Sequence, residues 1–371
     1  MSEPGIDEHY MARALQLARR GLYTTDPNPR VGCVIVREDE IVGEGWHARA
    51  GGPHAEIGAL EAAGDAAAGA TAYVTLEPCC HHGRTPPCTD ALLNAGIARV
   101  VVATQDPNPA IAGQGQRALE TAGVEVSGGV LGADAEALNV GFFRRMREQR
   151  PYLRSKIATS LDGRTALANG ASQWITGEAA RADVQRLRAR SSAILTGIGT
   201  ILADDPSLNV RAAELGDVHQ PLRVIADSGL RTPVDARTLG LEGGVMIMTI
   251  AGDARARKQL VDAGADVQVV DACAIDDQRV DLDALLVRLA EREINEVLVE
   301  AGAGLNGALL RAGLIDELIV YIAGCVLGGT AKGMFDMPEL EDMSVRPEFT
   351  LADVRKVGVD LRVTFTKDTN G

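Results

Sequence analysis

Two short segments of the chain carry the side chains best suited to metal-assisted chemistry. His54 and Glu56 stand two positions apart in the first segment, and Cys79 and Cys88 enclose the second. A catalytic zinc ion takes three protein ligands and keeps its fourth position for water, whereas a structural zinc ion is closed by four Cys or His side chains. One imidazole and two thiolates, from His54, Cys79 and Cys88, therefore predict an open zinc site.

Glu56 supplies the carboxylate that hydrolysis at such a site needs. A carboxylate beside the metal takes a proton from water and hands it to a leaving nitrogen, which is general acid–base catalysis. Residues two apart in the middle of a helix point to nearly opposite sides. Because Gly51, Gly52 and Pro53 precede His54, we expect His54 at the entry of a helix, where both side chains reach one cavity.

The cysteine-rich segment also allows other interpretations. Cys80, His81 and His82 are rival ligands that a closed structural zinc site could use, and a pair of cysteines can lie in a core without any metal. Cys88 follows two prolines and is expected to open a helix, whose dipole favours a thiolate. The presence of Glu56 favours the open, hydrolytic site.

Length and composition indicate two α/β domains. A chain of 371 residues exceeds one ordinary core, and 46% hydrophobic residues with only 3% aromatic ones suit aliphatic strands covered by helices. The formal net charge of −14 argues against a nucleic-acid partner. It leaves room for a small phosphorylated ligand, which needs only a few placed cations or helix N-termini.

The cysteine pattern and the hydropathy indicate a reducing compartment. The six cysteines are partly crowded at positions 79, 80 and 88 and do not resemble a disulfide framework. The first ten residues are polar, and no apolar run reaches the length of a membrane span. We therefore expect a soluble, cytoplasmic protein without a membrane partner.

Hydrophobic periodicity predicts the elements that position these residues. In the first half it predicts helices over 8–20, after 54, over 89–95 and over 114–122, and strands over 31–36, 41–46, 72–76, 100–104 and 124–127. The alternation of strands and helices is typical of a three-layer α/β/α domain. A basic stretch ends at Pro151 and the pattern then restarts, which predicts domains over 1–146 and 151–371.

The second half is predicted to contain a mixed sheet. Strands are expected over 152–158, 193–197, 222–226, 245–250, 267–270, 297–300 and 318–322, and helices over 178–189, 254–263, 282–293 and 305–311. A terminal antiparallel hairpin over 349–366 makes the sheet mixed. Glycines at 302, 304 and 307 fit a phosphate site at a helix N-terminus, and a plain tight turn fits them equally well.

The motifs of the first half resemble the cytidine/deoxycytidylate deaminase superfamily, with His-Ala-Glu at 54–56, then Pro-Cys and a later Cys. The eight residues between Cys79 and Cys88, and Asn28 between two prolines, resemble more narrowly the bifunctional deaminase/reductases of riboflavin biosynthesis. That family commonly has serine where this chain has Cys80. The resemblance implies deamination at C2 of 2,5-diamino-6-(5-phosphoribosylamino)pyrimidin-4-one, with a zinc ion held by His54, Cys79 and Cys88.

In the same resemblance Glu56 moves the proton, and Asn28 and the loop 106–109 line the substrate pocket. Asn and Asp beside proline are also ordinary turn formers, so a turn role for these residues stays open.

Motifs at 160–164, 172–176, 204–208 and 300–302 resemble the reductase domain of the same family, whose fold is similar to dihydrofolate reductase. The resemblance implies that NADPH reduces the ribosyl group to ribityl. The cofactor side would comprise Ala158, Trp174, Thr200, Asp204, Ser228, Gly302, Ala303, Gly304, Leu305, Asn306, Gly307 and Ala308. The substrate side would comprise Ser172, Arg188, Leu208, Arg211 and Glu300.

Two roles on this side of the chain follow from side-chain chemistry: binding of the substrate phosphate and donation of a proton. Arg188 and Arg211 suit a substrate phosphate because a guanidinium forms bidentate hydrogen bonds, although either could be an ion-pair partner instead. Asp204 or Lys156 is expected to protonate the departing ring oxygen.

A nucleic-acid deaminase is disfavoured by the acidic charge, and a non-catalytic zinc scaffold by the complete set of ligands with Glu56. Family analogy predicts a homo-oligomer, either a dimer or a tetramer.

Overall fold

The computed structural model describes residues 4–81, 86–250 and 252–367. The chain divides into two compact units, Met1–Gln149 and Arg150–Gly371. Within the described ranges, no helix is both long and apolar enough to cross a bilayer.

The first unit is built on one mixed sheet. Its strands are β1 (Gly32–Arg37), β2 (Glu40–Trp46), β3 (Thr71–Val74), β4 (Arg99–Val102) and β5 (Glu125–Gly128). They lie in the order β2-β1-β3-β4-β5, with β1 antiparallel to both neighbours and β3, β4 and β5 parallel. Its helices are α1 (Pro4–Ala18), α2 (Ala55–Ala63), α3 (Cys88–Asn94), α4 (Gln114–Thr121), α5 (Gly132–Leu138) and α6 (Val140–Glu148).

Helices cover both faces of this sheet because alternate residues of β1 point to opposite sides. Cys33 and Ile35 pack in one core with side chains of α2, α3 and α4. Val34 and Val36 pack in the other core with side chains of α1 and α5. The predicted three-layer α/β/α architecture is therefore confirmed.

Two glycines of β2 place α2 close against the hairpin. A Cβ atom on Gly43 would lie 2.2 Å from the carbonyl oxygen of Ala59, and one on Gly45 would lie 2.2 Å from that of Ala55. Only glycine allows the helix backbone to approach the strand this closely. The approach fixes the start of α2, which is the place where His54 and Glu56 stand.

The second unit contains a longer mixed sheet. The strands are β6 (Tyr152–Ser160), β7 (Arg164–Ala166), β8 (Ala193–Gly197), β9 (Leu222–Ala226), β10 (Val245–Thr249), β11 (Ala265–Val269), β12 (Ala272–Cys273), β13 (Asp276–Val280), β14 (Glu296–Val299), β15 (Glu317–Ala323), β16 (Lys332–Gly333), β17 (Thr350–Val357) and β18 (Asp360–Thr366). The helices are α7 (Glu178–Arg190), α8 (Ile198–Asp204), α9 (Ala254–Asp262), α10 (Leu282–Glu291) and α11 (Ala303–Arg311).

The main sheet of this unit has the order β11-β10-β9-β8-β14-β6-β15-β18-β17. In this order the first seven strands, from β11 at the edge to β15, run parallel to one another. Strand β18 is antiparallel to β15, and β17 is antiparallel to β18. The prediction of a mixed sheet with a terminal hairpin is confirmed. Because parallel strands end at one edge, their carboxyl ends form a single crevice there, the usual ligand position in such sheets.

Several short elements were missed by the sequence reasoning: α5, α6, α8, β7, β12, β13 and β16. Most span only two to seven residues, fewer than a periodic pattern needs. The basic stretch before Pro151 is helical: α6 buries Phe143, while Arg144 and Arg145 are partly exposed and Arg147 is exposed.

Candidate active sites

Three ligand atoms of the first unit meet at one point. The Nδ1 atom of His54 lies 3.2 Å from the Sγ atom of Cys88 and 3.6 Å from that of Cys79. All three atoms lie within 4.8 Å of one another. Zinc bonds of about 2.0–2.3 Å in a tetrahedron require ligand separations of roughly 3–4 Å. This donor set therefore fits zinc and leaves the fourth coordination position to water or substrate.

Helix starts bring these ligands together. His54 precedes the first residue of α2 with extended backbone, at φ −72° and ψ 161°, as the preceding glycines and proline predicted. Cys88 is the first residue of α3 and follows Pro87. Its backbone N–H donates to the Cys79 Sγ at 3.3 Å, and the N–H of Thr89 donates to the Cys79 carbonyl at 3.2 Å. The α3 start therefore holds both cysteines.

The two thiols differ in acidity. Hydrogen bonds from the Cys88 thiol and from His54 hold the pKa of Cys79 well below its usual range, against the opposing effect of burial. The hydrogen bond to Cys79, together with burial, raises the pKa of Cys88. The hydrogen bond with Cys79 also raises the pKa of His54. The thiolate is the form of cysteine that binds metals, so the lowered pKa of Cys79 favours metal binding.

Glu56 lies beside the metal ligands and is shielded from solvent. Its residue is 3% exposed, and its carboxyl group is near enough to Cys88 to raise the pKa of that thiol. Burial raises the pKa of Glu56. A carboxyl group with a raised pKa exchanges protons more readily near neutral pH, which suits the predicted proton transfer.

Cys80 and His81 are not part of the cluster. Among the described residues, the group of His, Cys, Asp and Glu side chains close enough to hold one ion consists of His54, Cys79 and Cys88. His82 and the rest of the motif 82–85 lie outside the described residues. Burial raises the pKa of Cys80, which disfavours its thiolate form.

Cys80→Ser is therefore expected to keep one zinc ion per chain and to retain deamination. Cys79→Ser, the matched change at the neighbouring position, is expected to lose the metal because a thiolate ligand is removed. Metal analysis of the two purified variants checks this. Loss of zinc from Cys80→Ser with retention in Cys79→Ser would assign the second thiolate to Cys80.

Sequence reasoning missed His47, which connects Asn28 to the metal centre. The Asn28 Nδ2 group donates to the His47 Nε2 at 3.0 Å, and the His47 Nδ1–H donates to the Pro53 carbonyl at 2.9 Å. Burial lowers the pKa of His47, which favours this neutral form. Its ring lies 5.6 Å from the ring of His54. No spacing marks a single histidine after a strand, so the sequence carried no signal for it.

The loop 106–109 makes the turn contacts that its residue types allowed. The N–H of Asn108 donates to the Asp106 carboxylate at 2.8 Å, and the N–H of Ala110 donates to the Asn108 side chain at 3.1 Å. Asp106 also borders a small cleft that is lined by Cys79 and His81. The loop thus stands next to the metal ligands.

The second unit contains a cavity of about 1660 Å³ at the carboxyl ends of β6, β8, β9 and β14. A pocket for one small ligand takes about 300–1000 Å³, so this cavity has room for two. The predicted cofactor and substrate residues of this unit, apart from Gly307, line its wall: Ala158, Ser172, Trp174, Arg188, Thr200, Asp204, Leu208, Arg211, Ser228, Glu300, Gly302, Ala303, Gly304, Leu305, Asn306 and Ala308.

Gly307 is not among the residues that line the cavity, and its assignment to the cofactor stays a prediction. A Cβ atom there would lie 2.1 Å from the carbonyl oxygen of Asp336, so the glycine serves a close backbone contact. Asn306 lies at the cavity wall, but its side chain forms hydrogen bonds within the protein. It accepts from the Ser155 hydroxyl at 2.9 Å and donates to the Ala301 carbonyl at 2.8 Å.

Glu300 is the central charge of the cavity. It accepts hydrogen bonds from Arg188 at 2.6 and 3.0 Å, and the Lys156 Nζ lies 3.2 Å away. Burial alone would raise the pKa of Glu300, but the charges of Arg188 and Lys156 lower it to about 2. The Arg188 guanidinium is thus committed to Glu300, which leaves Arg211, exposed at the wall, as the arginine better placed for a phosphate.

The two predicted proton donors differ in their surroundings. Lys156 is partly buried and pairs with Glu300, whereas Asp204 is an exposed residue at the end of α8. Trp174 is 71% exposed, and the guanidinium carbon of Arg181 lies 4.9 Å from the centroid of its ring. One face of the indole is therefore covered by a cation and the other can stack on a ligand.

Family comparisons match both units. Residues 4–104 match a family model described as the cytidine and deoxycytidylate deaminase zinc-binding region. Residues 151–363 match the RibD C-terminal domain.

Relatives match the chain over nearly its whole length. The riboflavin biosynthesis protein RibD of Escherichia coli K12 is 51% identical over 368 residues, which cover 96% of this chain and 98% of that protein. A structure of Acinetobacter baumannii RibD is 47% identical with a TM-score of 0.91 and covers 99% of this chain and 100% of that one.

A Thermotoga maritima structure described as a diaminohydroxyphosphoribosylaminopyrimidine deaminase/5-amino-6-(5-phosphoribosylamino)uracil reductase is 33% identical. Its TM-score is 0.85, and the match covers 98% of this chain and 99% of that one. The resemblance that the motifs indicated is confirmed, and the chain belongs to the RibD family of bifunctional deaminase/reductases in riboflavin biosynthesis.

Proposed function

We propose that the protein acts twice on one phosphorylated pyrimidine, with deamination in residues 1–146 and reduction in residues 151–371. The first reaction converts 2,5-diamino-6-(5-phosphoribosylamino)pyrimidin-4-one into its uracil counterpart and releases ammonia. The second uses NADPH and yields 5-amino-6-(5-phosphoribitylamino)uracil. The observation that carries the proposal is the convergence of His54, Cys79 and Cys88 beside buried Glu56.

In the deaminase, His54, Cys79 and Cys88 would hold the zinc ion, which would supply a Lewis acid that makes water nucleophilic at neutral pH. Glu56 takes a proton from the attacking water and delivers it to the amino group at C2. A carbon–oxygen bond forms, the carbon–nitrogen bond breaks and ammonia leaves. Asn28 uses its Nδ2 for His47, so its Oδ1 is the atom that accepts from an N–H group of the pyrimidine.

In the reductase, the chain's residues bind two ligands and supply a proton. NADPH supplies the hydride. Trp174 would stack on the cofactor, and the N–H groups that begin α11 after Gly302 would bind one of its phosphates. Arg211 binds the substrate phosphate. Lys156, held by Glu300 at 3.2 Å, protonates the ring oxygen as the ribosyl group opens and is reduced.

A two-stage assay tests this order. The diaminopyrimidine phosphate is supplied first without NADPH, and ammonia release is expected. NADPH is then added, and its oxidation is expected only after deamination has occurred. Zinc-free enzyme, prepared with a chelator, is expected to release no ammonia but to oxidise NADPH with the deaminated substrate, since the second unit carries the reductase. Ammonia release by zinc-free enzyme would refute the metal role.

We further propose that the protein forms a homo-oligomer, a dimer or a tetramer. Support comes from the edge of the longer sheet, where β17 and β18 expose Leu351, Val354 and Leu361, and their turn exposes Val359. Exposed apolar edge strands are commonly covered by a second chain. Light scattering after size exclusion tests this, and a monomer at micromolar concentration would refute it.

A cytoplasmic location is the compartment we infer. All six cysteines are free, which is typical of a reducing compartment. Cell fractionation tests this, and recovery in a secreted fraction would refute it.

A further inference from the structure

Glu77 is a buried carboxylate next to the metal centre that the proposed mechanism does not use. It lies two positions before Cys79 and is 6% exposed. One carboxylate oxygen accepts from the N–H groups of Asp106 at 3.1 Å and Gly113 at 2.9 Å. The other accepts from the N–H groups of Gly115 at 2.8 Å and Gln116 at 3.4 Å. The carboxylate thus collects four backbone donors from one segment.

Two of these donors belong to the N-terminus of α4. Gly115 and Gln116 are its second and third residues, and its N-cap residue, Gly113, has no side chain to cap them. A helix N-terminus has N–H groups without intrahelical partners and favours a negative charge. Glu77 therefore caps α4 from a different part of the chain, with charge-assisted hydrogen bonds.

The other two donors bracket the loop that leads into α4. Asp106 opens the loop 106–109, whose side chains are proposed to line the substrate pocket, and Gly113 closes the segment. A Cβ atom on Gly115 would lie 2.0 Å from the carbonyl oxygen of Pro78. The start of α4 thus rests directly on the residue between Glu77 and Cys79.

We infer that Glu77 is a positioning residue for deamination. Its carboxylate fixes the loop 106–113 relative to Cys79, so that the pyrimidine is held in register with the metal ligands and Glu56. This inference rests on the proposed deaminase function. A positioning role differs from simple helix capping in what a substitution of Glu77 changes. Substrate binding is then affected more than zinc content or the stability of the fold.

Glu77→Gln tests the inference. The substitution replaces one acceptor oxygen by an NH₂ group that faces N–H donors, while shape is conserved. The ratio kcat/KM for deamination is expected to fall about 10- to 100-fold, the loss of activity typical when a residue that supports a metal site is changed, and most of the fall is expected as a higher KM. Hydrogen exchange of the peptide 105–116 is expected to accelerate. Zinc content is expected to stay at one per chain.

Two controls separate this role from others. Glu120→Gln removes the same charge from an exposed position of α4 and is expected to leave KM and exchange unchanged. Reduction of the deaminated substrate by the same Glu77→Gln protein is expected to match that of the unmodified protein, because the second unit is untouched.

An unchanged KM, or a raised KM without faster exchange of 105–116, would overturn the inference. So would loss of zinc together with faster exchange across β1 and β3, since Glu77 would then support the fold of the whole unit. If the unmodified protein released no ammonia, the proposed function would fail instead.

Discussion

Glu56→Gln is expected to abolish ammonia release while zinc stays bound. The amide keeps the size and most of the polarity of the side chain, but it cannot take a proton from water at neutral pH. Glu56 is not one of the three atoms that surround the metal position, so the donor set remains complete. A loss of about 10²- to 10⁴-fold in kcat is expected, the usual contribution of general acid–base catalysis.

Ammonia release and metal content, measured on the same preparation, check this result. Glu61→Gln is the matched control, because Glu61 lies in the same helix, α2, and is exposed. It is expected to behave as the unmodified protein. Undiminished deamination by Glu56→Gln would remove Glu56 from the mechanism, and loss of zinc would make it part of the metal site.

The chemistry of the metal centre could be predicted from the sequence because zinc restricts its ligands to few residue types. Two cysteines and a histidine close to a glutamate satisfy that restriction, whatever the exact path of the chain between them. Strands such as β1 and β2, and helices such as α7, were predictable for a similar reason, since their hydrophobic period is long enough to read.

Residues whose roles depend on individual hydrogen bonds in the folded chain could not be predicted. His47 bonds to the Pro53 carbonyl and to Asn28, and Glu77 bonds to amides about thirty to forty positions away along the chain. Neither contact leaves a pattern in residue type or spacing. Gly307 shows the converse limit, because a glycine after a strand fits both a phosphate loop and the close backbone contact with Asp336 that the structure has.

The pairing of Glu300 with Arg188 has the same origin. The two residues are separated by 112 positions. From the sequence, Arg188 could bind a substrate phosphate or form an ion pair. The structure places the acidic partner within reach, so the ion pair forms, and we propose Arg211 for the substrate phosphate. Buried charges of this kind must be paired, since an isolated charge is costly in a protein interior.

Lys156→Met is expected to abolish NADPH oxidation while deamination continues. Lys156 is on β6 at the cavity wall, on the same face as Ala158, and its ammonium group pairs with Glu300. Methionine preserves the length of the side chain and removes the proton. The fold is expected to survive, because Glu300 keeps its two hydrogen bonds from Arg188. A kcat loss of about 10²- to 10⁴-fold is expected for a missing proton donor.

Asp204→Asn is the comparison that decides between the two candidate acids. Asp204 is exposed at the cavity wall, so its substitution is expected to raise the KM for NADPH and to change kcat little. Steady-state oxidation of NADPH with the deaminated substrate measures both parameters for each variant. A collapse of kcat in Asp204→Asn with normal turnover in Lys156→Met would identify Asp204 as the proton donor. Because both residues lie in the second unit, an unchanged KM for NADPH in Lys156→Met would show that this unit is folded and that the loss of kcat comes from the missing acid.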